Sequence, residues 1–98
     1  IAVKDGDELL LGREKFSFFA TPGHTPGGMS IYTEGSLFVG DTLFAGSVGR
    51  TDFPGSSFNE LKQSIEEKIY TLPDDTKVYP GHMGPTTVRY EKEHNPFV

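Results

Sequence analysis

The sequence predicts an α+β domain in which a mainly antiparallel sheet carries its helices on one face. Three observations lead there. Short apolar runs divided by turn residues fill the first 40 positions, a capped amphipathic helix pattern appears only at 57–72, and one more strand-like run follows it at 77–79. Strands first and helices late, without regular alternation of the two, favour an α+β arrangement over a doubly wound one.

In order along the chain, Asp5-Gly6-Asp7 reads as a turn and 8–11 as a short strand closed by Gly12. Residues 15–20 alternate, placing Phe16, Phe18 and Ala20 on one face and Ser17 and Phe19 on the other. A strand at 29–33, a turn at Glu34-Gly35-Ser36 and a returning strand at 37–39 make a hairpin that ends on Gly40-Asp41. Residues 42–56 are too irregular for one element and read as a long loop, a feature that in small domains usually serves function. Ser57 and Glu60 form a capping box, and Phe58, Leu61, Ile65, Ile69 and Leu72 recur at helical spacing before Pro73 stops the helix. After the strand at 77–79, residues 86–94 read as a short exposed helix capped by a threonine and closed by Asn95-Pro96. Because Phe18 and Phe19 point to opposite faces, both faces of the sheet are apolar, and the helices can cover only one.

Size and charge narrow the function. With 98 residues the chain is a single small unit, read as one partial domain over 1–98. It opens at Ile1 without methionine, so residues 1–3 are expected to be the tail of an upstream element. Nine Lys and Arg against fourteen Asp and Glu give a net charge of −5, which opposes nucleic-acid binding. No apolar run approaches the roughly 20 residues that span a bilayer, and no signal segment opens the chain, so a cytoplasmic protein with no membrane partner is expected. The absence of cysteine excludes disulfides, thiolate ligands and a cysteine nucleophile, leaving histidine, carboxylate and water as metal ligands.

Three rigid loops follow strand-like runs: A-T-P-G-H-T-P-G-G around His24, G-D-T around Asp41, and P-G-H-M-G-P around His82. Prolines pin their backbones while glycines allow close approach. Two imidazoles and a carboxylate on strand-end loops suggest a metal site. Taken singly, each has a plainer reading: His24 as a satisfied core residue, His82 as a turn residue, Asp41 as a cap of the Thr42-Leu43 turn. His94 lacks such a loop and, beside Glu91 and Glu93, takes the structural reading. Arg50 and Asp52 read first as an ion pair ordering their loop and second as groups that orient metal ligands or meet a polar substrate.

In combination, P-G-H-T-P-G-G, F-V-G-D-T-L-F and Y-P-G-H-M-G-P-T-T resemble the metallo-β-lactamase fold hydrolases, and G-R-T-D-F-P-G-S resembles their glyoxalase II-like, hydroxyacylglutathione hydrolase branch. The resemblance runs from Phe18 onward. It implies that His24 is the third histidine of a first metal, that Asp41 bridges two metals and is the catalytic carboxylate, and that His82 is the last histidine of the second. The family's H-x-H-x-D-H motif does not occur in this chain. What the resemblance implies is therefore the C-terminal half of an αββα sandwich.

The activity implied is thioester hydrolysis at a binuclear zinc site, through a metal-bound hydroxide. Catalytic zinc usually has about three protein ligands. His24 or His82 with a shared Asp41 supplies two per ion, so the 98 residues are expected to bind metal weakly and to be inactive or nearly so without the N-terminal half. Glutathione recognition in larger members uses a C-terminal helical extension beyond the position matching Val98, which leaves the thiol of the substrate open. A mononuclear iron persulfide dioxygenase is the alternative, since that family shares much of the G-R-T-D-F loop; Pro54-Gly55 is closer to the glyoxalase II-like side. A non-catalytic interaction module of the same fold is the third reading. The acidic balance disfavours the nuclease branch. The unpaired apolar sheet face is expected to bind the missing half or to self-associate.

Overall fold

The computed structural model describes residues 4–52, 54–82 and 84–98. Residues 1–3, expected as an upstream tail, lie outside the described residues, as do Phe53 and Met83. In chain order the elements are β1 (Glu8–Leu11), β2 (Glu14–Ala20), β3 (Met29–Thr33), β4 (Ser36–Gly40), β5 (Leu43–Phe44), β6 (Ser47–Val48), α1 (Phe58–Ser64), β7 (Lys77–Pro80), β8 (Thr86–Thr87) and α2 (Val88–His94). The fold is α+β as expected. β1-β2-β3-β4-β7-β8 form one sheet, antiparallel except for the parallel β4–β7 pair. A parallel pair needs a long crossover, and the segment containing α1 supplies it.

The β3–β4 turn is tighter than expected. Glu34 and Gly35 alone make it, with φ of 47° and 78°, and Ser36 already belongs to the strand. Two left-handed residues match the twist of the flanking strands, which a wider turn would splay. The long loop at 42–56 is also more ordered than its composition suggests. Leu43 pairs with Val48 and Phe44 with Ser47, making a small hairpin of its own.

Pairing register sorts the side chains into two faces. One row runs Ser17, Tyr32, Leu37, Val78, Thr86, and beneath it Leu37, Val39 and Val78 pack with Leu61, Ile65, Ile69 and Val88 from the helical side into the core. The opposite row runs Phe18, Ile31, Phe38, Tyr79, with Phe38 and Tyr79 stacked 5.2 Å apart between ring centroids. Phe38 is exposed on that face, together with Leu9 and Leu11 of β1. Both faces are therefore apolar, and the helices cover one.

The predicted helix splits. Ser57 caps it, its Oγ accepting from the Glu60 amide at 3.3 Å, but after Ser64 the chain widens into a π-helical turn over Ile65–Ile69, closed by Tyr70 N–H donating to the Ile65 carbonyl at 2.8 Å. Leu61, Ile65 and Ile69 recur every four residues, and at 3.6 residues per turn that stripe would rotate off the sheet. The wider turn keeps all three in the core. Leu72 packs on the core from the turn that follows.

Residues 86–94 likewise divide into β8 and α2, with Thr87 as N-cap accepting from the Tyr90 amide at 3.1 Å. The exposed-helix reading fails at Glu91, which is 0% exposed. Val88, Glu91 and Asn95 share one helical face at spacings of three and four, and that face is turned inward. His94 is exposed, its ring tilted against Tyr90 with centroids 4.7 Å apart. Among the described residues no helix is long and apolar enough to cross a membrane.

Tyr70 provides a pH test of this packing. Its hydroxyl donates to the Glu91 carbonyl at 3.1 Å, and burial, with the Glu91 and Glu66 charges, pushes its pKa from 10.0 up to about 12. The folded state thus holds the phenol proton more tightly than the unfolded chain does. This contribution is complete below about pH 10 and is lost as pH rises towards about 12. Urea midpoints at about pH 9 and about pH 11 are expected to fall further for the wild type than for Tyr70→Phe.

Candidate metal centre

Strand direction brings the three candidate loops together. β2 and β4 are each antiparallel to β3, and β7 is parallel to β4, so β2, β4 and β7 all end at the same edge of the sheet. His24 follows β2, Asp41 follows β4 and His82 follows β7. Asp41 and His82 come from adjacent parallel strands, held close by the Gly81 amide donating to the Gly40 carbonyl at 2.8 Å.

Asp41 lies between the two imidazoles. His82 Nδ1 stands 2.9 Å from Asp41 Oδ1, and His24 Nε2 stands 3.7 Å from Asp41 Oδ2. Each carboxylate oxygen thus faces a different ring. Among the described residues no three or more of His, Cys, Asp and Glu cluster closely enough to hold one ion. The structure thus sets the two imidazoles on either side of one carboxylate.

His24 is set by backbone. Its Nδ1 lies 2.9 Å from the Arg50 carbonyl oxygen. A carbonyl can only accept, so Nδ1 carries the proton and the neutral ring keeps its lone pair on Nε2, the atom facing Asp41. A ligating histidine is commonly oriented this way, by a hydrogen bond from its other nitrogen. Two ligands of a tetrahedral zinc, each at about 2.0–2.1 Å, sit about 3.4 Å apart. The separation of 3.7 Å between His24 Nε2 and Asp41 Oδ2 is close to that, and longer than a hydrogen bond. The donor set on this side fits a divalent ion. On the other side, His82 Nδ1 stands at hydrogen-bonding distance from the carboxylate, 2.9 Å, in a ring whose side chain is 75% exposed.

Arg50 and Asp52 pair with each other. Nε and Nη2 of Arg50 donate to the two Asp52 oxygens at 3.0 and 3.3 Å. The guanidinium holds Asp52 below the usual carboxylate range, and the carboxylate raises Arg50 in turn. This bidentate pair orders the loop whose carbonyl orients His24. A cavity of about 250 Å3 opens between His24 and Asp41, lined also by Thr25, Gly28 and Met29 among others.

Two features of the site were not predicted from the sequence. One is the Arg50 carbonyl, a backbone atom that no side-chain pattern reveals. The other is Gly49, where an added Cβ would overlap the Asp41 carbonyl oxygen and press on the His24 side chain. The hairpin of β5 and β6 therefore closes directly on both candidate ligands.

Comparison with known proteins places the chain in a family. Residues 1–82 match the family model of the metallo-beta-lactamase superfamily. Hydroxyacylglutathione hydrolase GloC of Haemophilus influenzae is 40% identical over 97 residues, covering 97% of this chain and 46% of that protein. The crystal structure of ETHE1 from Myxococcus xanthus superposes with a TM-score of 0.93 at 40% identity, covering 98% of this chain and 44% of that one. TTHA1623 in a di-iron-bound form gives 0.88 at 39% identity, covering 98% and 47%. The chain spans about half the length of these relatives. A match over most of its residues, with the same fold in the solved structures, makes this chain a member of the metallo-beta-lactamase superfamily.

Proposed function

We propose that this chain is the C-terminal half of a binuclear metal-dependent thioester hydrolase of the hydroxyacylglutathione hydrolase type. The observation that supports this best is the sharing of Asp41, whose two oxygens face His24 and His82 from separate loops. His24 and Asp41 would hold one ion, Asp41 and His82 the other, with the remaining ligands supplied by an N-terminal half. Zinc ions so held would supply Lewis acidity and lower the pKa of water at neutral pH.

The chain's own residues do the positioning. Arg50 fixes the His24 tautomer through its carbonyl, its side chain is locked by Asp52, and the cavity beside Asp41 would admit the acyl group of a small thioester. The open sheet row of Phe18, Ile31, Phe38 and Tyr79 would be covered by that N-terminal half, because the chain is about half as long as its relatives and an apolar face of this kind needs a partner layer. A second copy of the chain is the other candidate to cover it. The expected compartment is the cytoplasm.

Likeness to ETHE1 supports one alternative, a mononuclear iron persulfide dioxygenase. Elemental analysis of the purified full-length protein, run beside hydrolysis of a hydroxyacyl-glutathione thioester and oxygen uptake with a persulfide, separates the two. About two zinc per chain with thioester hydrolysis is the expected result. One iron with oxygen uptake would establish the dioxygenase. No metal and neither activity would leave a non-catalytic module.

A further inference from the structure

Glu91 is a fully buried carboxylate that lies outside the candidate site, and its contacts run to the loops that build it. Oε1 accepts from the Gly46 amide and from Asn95 Nδ2, each at 3.0 Å, and Oε2 accepts from Thr86 Oγ1 at 2.6 Å. Asn95 Nδ2 also donates to the Ser47 carbonyl at 3.0 Å. Gly46 lies at the tip of the β5–β6 hairpin, Ser47 opens β6, and Thr86 opens β8, four residues after His82.

A buried carboxyl group is tolerated only when its oxygens are met by partners, and here the Gly46 amide, the Thr86 hydroxyl and the Asn95 amide meet them. The hairpin then carries the constraint to the site. Leu43 pairs with Val48, Gly49 N–H donates to the Thr42 carbonyl at 3.0 Å, Gly49 abuts Asp41, and the next residue offers the carbonyl that accepts from His24 Nδ1.

We infer that Glu91 is a positioning residue for the metal centre: by anchoring the β5–β6 hairpin and β8 to α2 it fixes Asp41, the Arg50 carbonyl and Thr86, four residues after His82, as one unit. This rests on the metal reading of His24, Asp41 and His82. Glutamine can preserve the network, its oxygen accepting from Gly46 and Asn95 and its amide donating to a reoriented Thr86 hydroxyl. Leucine fills the volume but leaves the donors unmet.

The test is made in the full-length protein with cobalt(II) as probe. Cobalt affinity is read together with the nitrogen-15 signature of the His24 Nδ1–H, which does not need metal. Glu91→Leu is expected to lower cobalt affinity about tenfold, the low end for residues that orient ligands through others, and to lose the Nδ1–H signature. Glu91→Gln is expected to keep both. Asn95→Leu, which removes the Ser47 tie and one of the three donors to Glu91 but leaves the Gly46 and Thr86 ties in place, is expected to lie between them and stands in if Glu91→Leu does not fold. Leu72→Ala trims the core without touching the network and serves as the stability control. Unchanged affinity and signature in both leucine variants, or an equal loss in Leu72→Ala at the same drop in melting temperature, would overturn the inference. A wild type that binds no cobalt, but whose His24 signature still depends on Glu91, would remove the metal reading and leave the positioning role standing. With no cobalt bound and no such dependence, both fall.

Discussion

Asp41→Ala is expected to abolish stoichiometric metal binding by the full-length protein and, with it, hydrolysis. Among the described residues Asp41 is the group that faces both imidazoles, so on the proposed reading its loss weakens both half-sites at once, whereas His24→Ala or His82→Ala removes one ligand from one. Residues that only orient ligands cost about 10–100-fold in affinity when replaced, so the loss here should exceed 100-fold. Asp41→Asn keeps the shape, discards the charge and is expected to fall between. The same pair of variants tests the plainer reading of Asp41 as a turn cap. If that were its role, Asp41→Ala would lower the melting temperature and leave metal content alone. The side chain is partly exposed and its contacts run to the imidazoles rather than into the Thr42 turn, where the Thr42 amide instead donates to the Val39 carbonyl at 3.2 Å. Little change in the melt of the metal-free protein is therefore expected. Elemental analysis and a thermal melt on one preparation of each variant decide it.

The three candidate ligands were legible because each announces itself locally, in a proline- and glycine-fixed loop after an apolar run. Their convergence was only partly legible. It follows from strand direction, and the parallel β4–β7 pair that sets Asp41 beside His82 depends on a crossover of more than 30 residues that no local pattern encodes. The small hairpin of β5 and β6 was missed for a related reason. Its strands are two residues each, too short for alternation to register, and they are stabilised by Glu91 and Asn95 from the far end of the chain. Glu91 itself was read as an exposed helical acid because charge usually marks a solvated face. The signal that could have corrected this was present in the spacing of Val88, Glu91 and Asn95, a face that is apolar at one end and closes on an amide capable of donating to the carboxylate.

Gly23→Ala is expected to be strongly destabilising. Gly23 has a φ of 137°, a region that side chains avoid, and a Cβ there would overlap the backbone of Leu61 in α1. The contact is backbone against backbone, so no rotamer change can relieve it. The two segments are also tied by hydrogen bonds on either side. Ser57 N–H donates to the Gly23 carbonyl at 2.7 Å, and Ser64 Oγ donates to the Pro22 carbonyl at 2.7 Å. An added methyl must push the His24 loop away from α1, breaking these bonds and uncovering Leu61, a residue of the central core. A loss of about 4 kcal/mol is expected, at the upper end for single substitutions. That corresponds to a drop in melting temperature of about 15 °C or more for a domain of this size. Gly27→Ala is the matched control, because four residues along the same loop a Cβ would meet nothing within 4 Å. It should change stability by less than about 0.5 kcal/mol. Equal melts for the two variants would mean that the loop does not rest on α1. A large difference, with cobalt binding lost in Gly23→Ala alone, would tie the placement of His24 to the helix that the sheet's covered face requires.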